Sequence, residues 1–118
     1  MKREKPDPWK TDFSPEAYSA LAETFKALSD PTRTRIVHIL SGGEMSVSSI
    51  AAKAGVSSSA VSHQLRVLRQ MRLVKVRRDG QEMHYSLDDP HIQALFLEAL
   101  EHVRDFIPSS SILEGEAP

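Results

Sequence analysis

The residues of this 118-residue chain best suited to hold a metal ion stand near its C-terminal end: Asp89-x-His91, then His102-x-x-Asp105. On a helix turning about 100° per residue, His91, Glu98, His102 and Asp105 fall on one strip. That strip flanks the apolar positions Ile92, Leu95, Phe96, Ala99, Leu100, Val103 and Phe106. One helix cannot bring both imidazoles to one ion. At about 1.5 Å per residue they lie roughly 16 Å apart, whereas zinc holds each nitrogen at about 2.0–2.1 Å. Two copies of the helix, antiparallel across a two-fold axis, bring His91 of one beside His102 of the other and create two equivalent sites. The same residues also have plainer uses. Asp89 suits a helix cap, and a histidine beside an apolar stripe commonly packs rather than ligates.

A second group has the chemistry of nucleic-acid contact. Ser58, Ser59, Ser62, His63 and Arg66 occupy the front half of a helix-like segment, and Arg77, Arg78 and Gln81 surround a Gly80 turn. Serine hydroxyls donate or accept, small side chains permit close approach to a groove, and arginine brackets guanine or grips phosphate. Arg77, Arg78 and Gln81 suit phosphate or minor-groove contact. The net charge of −1 conceals a segregation. Residues 61–85 carry Arg66, Arg69, Arg72, Lys75, Arg77 and Arg78 against Asp79 and Glu82, a local balance of +4. Residues 88–118 carry seven acids against Arg104, a balance of −6. Distribution, not the sum, decides whether a basic face exists. A single charged run is by itself an ordinary solvated face.

Composition narrows the field. With 40% hydrophobic and 26% charged residues, the chain has globular rather than disordered composition. No apolar run nears the roughly 18 residues of a membrane span, and Met1–Pro6 lacks the apolar stretch of a signal peptide. There are no cysteines, so no disulfide, thiolate site or thiol nucleophile. The expected location is the cytoplasm. Nothing has the form of a nucleophile–base pair, a glycine-rich phosphate loop or a His-Glu-x-x-His helix, so neither an enzyme nor a small-molecule substrate is expected.

The elements that must position these residues are marked by their boundaries. Residues 1–13 have no periodicity and read as a disordered arm. Ser14-Pro15-Glu16 and Asp30-Pro31 each open a helix with a cap and a first-turn proline. Gly42-Gly43 closes the second of these. Ser46 caps a short helix closed by Gly55; Ser57 or Ser58 caps a longer one to about Met71 that buries Val61, Leu65 and Leu68. This is a helix-turn-helix pattern. Residues 73–77 and 82–87 alternate around Asp79-Gly80, a hairpin signal, and a hairpin in this place makes a wing. The final helix runs from Pro90 to about Phe106. The reading is therefore mainly α with a small β-hairpin: a winged helix-turn-helix domain at residues 14–107 and a disordered tail at 108–118. His38 and His84 read as structural.

Phe25-Lys26-Ala27-Leu28-Ser29-Asp30-Pro31-Thr32-Arg33 and Val56-Ser57-Ser58-Ser59-Ala60-Val61-Ser62-His63-Gln64-Leu65-Arg66-Val67-Leu68 resemble the two motifs of the ArsR–SmtB family of winged-helix repressors. The likeness covers roughly residues 15–107. It implies a homodimer, joined through terminal helices, that binds an inverted repeat in double-stranded operator DNA and releases it when an effector binds. Thiolate sensors of that family place cysteines where this chain reads Glu44-Met45-Ser46-Val47-Ser48, and neutral serine is a poor ligand for soft metals. The family's zinc and cobalt sensors use an interfacial site on the last helix. Carried over, the ligands are Asp89 and His91 of one copy with His102 and Asp105 of the other. Asp105 departs from the usual Glu by one methylene. A tetrahedral N₂O₂ set suits Zn²⁺ best, with Co²⁺ second, as an effector rather than a catalytic cofactor. The resemblance also implies that the free ring nitrogen of His102 meets a backbone carbonyl around Arg72. The alternative is a regulator of the same family that answers a non-metal signal or acts constitutively.

Overall fold

The computed structural model describes residues 7–112. The helices begin where short polar side chains can satisfy the free N–H groups of a first turn. Ser14 Oγ accepts from Ala17 N at the head of α1 (Pro15–Ala27), and Asp30 Oδ2 from Arg33 N at the head of α2 (Pro31–Leu40). Ser46 Oγ accepts from Ser49 N at the start of α3 (Val47–Ala54), and Ser57, not Ser58, caps α4 (Ser58–Gln70) through Ala60 N. Asp89 caps α5 (Pro90–Arg104). Proline stands at the first position of α1, α2 and α5, where no N–H is required and its φ already suits a helix.

The ends are equally local. Gly55, at φ +70°, closes α3 in the left-handed region. At the end of α4 that conformation falls to Arg72 (φ 59°), with Leu73 N donating to Leu68 O and Arg72 N to Arg69 O. This is the paired hydrogen bonding of a Schellman end, and its accompanying apolar contact is supplied by the buried Leu68 and Leu73.

Strands β2 (Val74–Asp79) and β3 (Glu82–Leu87) form the expected hairpin, paired from Val74↔Leu87 to Asp79↔Glu82. The two-residue loop is Gly80-Gln81, and Gly80 takes the positive φ of 63° that such a loop needs. A third strand was not expected. β1 (Met45–Ser46) pairs antiparallel with β3, Met45 opposite Tyr85 and Ser46 opposite His84, giving the order β1-β3-β2. Two residues are too few to show alternation, so this strand exists only through its partner.

Ile36, Val37, Ile50, Val61, Leu65, Leu68, Leu73 and Val74 are the fully buried centre, drawn from α2, α3, α4 and the root of the wing. No residue of α5 is fully buried, and Ala27 alone is buried on α1. α5 is shorter than expected by two residues, ending at Arg104 with Asp105 as its C-cap. Inside the stretch expected to be a structureless tail, Ser109–Ile112 make one helical turn, α6, with Ser111 N donating to Pro108 O. Within the expected arm, residues 7–11 close a turn on Asp7. The rest of the arm and tail readings, at 1–6 and 113–118, lie outside the described residues. No described helix is long and apolar enough to cross a membrane.

Candidate functional site

On α4 the buried residues Val61, Leu65 and Leu68 define the inner face, so Ser58, Ser59, Ser62, His63 and Arg66 lie together on the outer one, all exposed. Ser57 is committed to the cap, with its Oγ 3.4 Å from Ser59 Oγ. Among the described residues, Arg66, Arg69 and Arg72 have no carboxylate within ion-pair distance. The outer face of α4 therefore presents hydroxyls at its front and uncommitted positive charge behind. That is the order a helix needs to read base edges first and hold phosphate along its length.

The wing meets this helix at its tip. A hollow of about 300 Å³ is lined by Ser46, Val47 and Ser48, by Ser58 and Ser62, and by Gln81, Glu82 and Met83. Gln81 thus shares one surface with the front of α4. The two wing arginines differ. Arg78 Nε donates to Gly80 O (3.2 Å), and among the described residues no acid pairs with it. Arg77 is held by Glu44: Nη2 lies 2.7 Å from Oε1, and Nε lies 3.3 and 3.2 Å from Oε1 and Oε2. The hydrogen bond from Arg77 holds the Glu44 carboxyl below the usual carboxylate range, with the positive charges of Arg77, His84 and Lys75 acting in the same direction. The Arg77 guanidinium is correspondingly pushed up. Sequence reasoning passed over Glu44 because its partner is 33 positions away.

The four expected metal ligands lie at the two ends of α5. Asp89 Oδ1 accepts from His91 N (2.7 Å) and Ile92 N (3.3 Å), the plainer use expected of it, and also stands 3.2 Å from His91 Nδ1. Oδ2 of Asp89 and Nε2 of His91 carry no hydrogen bond among the described residues, and the His91 side chain is 86% exposed. His102 and Asp105 are exposed at the other end, the His102 ring edge-on to Phe106 with centroids 5.4 Å apart. Among the described residues no three His, Asp or Glu side chains of one copy converge. The structure brings Asp89 to His91 and leaves His102 and Asp105 at the far end of the helix. The two histidines read as structural, His38 and His84, are placed apart from α5's ends. His38 stacks on Phe96 with ring planes 19° apart, and His84 Nε2 lies 3.5 Å from Glu82 Oε2.

Between these ends α5 offers an apolar face. Leu95, Phe96, Ala99, Leu100 and Val103 join Phe25, Leu28 and Thr34 around a hollow of about 400 Å³. Phe25 and Leu21 are each 53% exposed and Phe106 66%. One further contact ties α5 to the body: Gln93 Nε2 donates to Ser41 O at 2.9 Å.

Residues 30–76 match the family described as "Bacterial regulatory protein, arsR family". A transcriptional repressor SmtB homolog of Synechocystis sp. is 48% identical over 85 residues, covering 72% of this chain and 64% of its own length. A cadmium resistance transcriptional regulatory protein CadC homolog of Staphylococcus aureus is 38% identical, covering 81% and 80%. The solution structure of a homodimeric winged helix-turn-helix DNA-binding domain from Mycobacterium bovis, described as a possible ArsR-family transcriptional regulator, superposes with a TM-score of 0.76. It is 25% identical, with 84% of this chain and 92% of that one covered.

Proposed function

Since this chain belongs to the ArsR family of bacterial regulatory proteins, with the winged helix-turn-helix fold, we propose that it is a homodimeric repressor that binds operator DNA without metal and releases it on binding Zn²⁺ between its two copies. The observation that carries this reading is the layout of α5. An unburied apolar face separates Asp89 and His91 at one end from His102 and Asp105 at the other. Each end supplies one nitrogen and one carboxylate donor, half of a tetrahedral set, and antiparallel pairing of α5 with its copy completes it. The residues fit the ion. Asp89 still has a carboxylate oxygen free after capping, and the exposed His91 ring has a nitrogen free. Bound there, the ion supplies a cross-link between two copies.

The chain's own residues do the rest. Ser58, Ser59, Ser62, His63 and Arg66 enter the major groove, while Arg78 and Gln81 lie over the backbone or minor groove. With one ring nitrogen on the ion, His102 would have its other N–H left to donate, and the acceptor implied by the family resemblance is a backbone carbonyl around Arg72, at the left-handed end of α4. That contact joins α5 to the reading helix and sets the spacing of the two reading heads. Co²⁺ fits the same donors.

The test is a zinc titration of the metal-stripped protein on a fluorescent duplex that the protein itself enriches from a random-sequence pool, read as anisotropy at fixed salt. The expected result is release near one zinc per subunit, with affinity for DNA lowered by about 5- to 150-fold, the span of ordinary allosteric coupling. His102→Ala abolishes the response while leaving metal-free binding intact. Zinc-driven release persisting in that variant refutes the site. Binding unchanged through excess zinc leaves a DNA-binding regulator that answers a different signal.

A further inference from the structure

We propose that Glu44 and Arg77 form a clamp that fixes the angle of the wing against the reading helix, so that Arg77 is a positioning residue and the wing grips phosphate through Arg78. The proposal rests on the DNA-binding reading above. Among the described residues, Glu44–Arg77 is the one ion pair that joins distant segments; the others link neighbours up to three positions apart. It is two-pronged, with Nε and Nη2 of Arg77 both on the Glu44 carboxylate, the geometry that fixes orientation as well as distance.

Its place in the sheet gives that orientation a consequence. Arg77 lies opposite His84, and His84 lies opposite Ser46, so one row crosses all three strands. Ser46 is also the cap of α3. The row therefore runs from the far strand of the wing to the start of the helix-turn-helix. Glu44, one residue before β1, closes over it from the edge and holds the far strand directly. Asp79 adds a second acid, 4.0 Å from Nη1 of Arg77. With two carboxylates beside it, the charge of this guanidinium is already offset locally, which weakens its pull on a phosphate. Arg78, on the opposite face of the strand by alternation, has a backbone carbonyl and, among the described residues, no acid. Both members of the clamp are solvent-accessible, at 55% and 36% of their side chains. Such a pair adds little to stability, and its effect is read in the aim of the wing.

The experiment measures anisotropy of two labelled duplexes, one enriched by the wild-type protein from a random pool and one scrambled, across a sodium chloride series. The proteins are the wild type, E44Q, R77Q, R78Q, the double variant E44Q/R77Q and the reversal E44R/R77E. Arg78→Gln should lower the slope of log affinity against log salt by about 0.9, one phosphate contact. E44Q and R77Q should leave the slope unchanged and weaken the enriched duplex by a similar factor, about threefold to tenfold. The double variant should lose no more than either, the mark of coupled residues. The reversal should recover most of the loss, which a phosphate contact at position 77 forbids. Tighter binding with a slope steeper by about 0.9 in E44Q would make Glu44 a mask over a phosphate contact and overturn the clamp. A slope lowered in R77Q as in R78Q overturns it too. Wild-type protein that binds neither duplex refutes the DNA reading and the clamp with it.

Discussion

At the scale of single residues, the side chains that start the helices also mark the working surfaces, and they can be tested one at a time. Ser57 gives its hydroxyl to Ala60 N, so Ser57→Ala should cost about 1 kcal/mol of stability in a denaturant melt. Ser59, two residues on, is free of that duty, and its alanine variant should change DNA affinity while leaving the melt unmoved. Glu44 adds a small pH-dependent contribution of its own. Its carboxyl is held below the ordinary range by Arg77, so its contribution to stability is full above the unfolded carboxylate value and lost as pH falls through the folded one. Because the pair is solvent-accessible, wild type and E44Q should differ only slightly in Tm near neutrality, and that small difference should vanish in acid. A difference that grew on acidification would contradict the assignment. Neither residue's role follows from composition. Ser57 is readable because a cap acts within three positions, whereas Glu44 is not, because its partner arrives only through the folding of the wing.

At the scale of elements, what could be read in the chain divides by the same rule. The helix starts at Ser14, Asp30, Ser46 and Asp89, the stop at Gly55 and the hairpin at Gly80 are all written within four residues, and the structure has them. The two-residue β1 and the left-handed Arg72 are not written locally. β1 depends on β3 lying beside it, and Arg72 occupies a conformation that its side chain disfavours because Leu73 must turn back under Leu68. The candidate site divides likewise. The spacing of His91 and His102 shows that they belong to one helix strip, but their joining requires a second copy. Arg72 offers a clean test of the local account. Glycine has no penalty at φ 59° but greater freedom in the unfolded chain. Arg72→Gly should thus be neutral to stabilising by up to about 1 kcal/mol in chemical denaturation. Alanine at Leu65, buried in the α3–α4 core, should cost about 2–5 kcal/mol. Loss of more than 1 kcal/mol on Arg72→Gly would mean that the arginine side chain, and not the turn, stabilises this end of the helix.

At the scale of the whole molecule, one copy is an incomplete object. Its core belongs to α2, α3, α4 and the wing, while Leu21 and Phe25 on α1, Leu97 on α5 and Phe106 just beyond α5 are more than two-fifths exposed. An apolar hollow opens between them. Large exposed apolar patches mark association surfaces, and the relative position of two reading heads is set by whatever covers this one. If a second copy covers it, dimerisation, metal binding and DNA spacing are one property, and a charge in the patch should remove all three together without unfolding the domain. Phe25→Asp is the variant of choice, since Phe25 is 53% exposed in the single copy and a carboxylate there remains solvated. Sedimentation should find it monomeric, with unchanged far-ultraviolet circular dichroism. Its Tm should lose the concentration dependence expected of a dimer. Its zinc affinity, measured against a competing chelator, should fall by at least about 100-fold, since a monomer retains only two of four donors and each lost ligand weakens a metal site severely. A monomeric Phe25→Asp protein that held zinc as tightly as the wild type would place the whole ligand set within one copy. The roughly 16 Å that α5 puts between His91 and His102 would then need the helix to break.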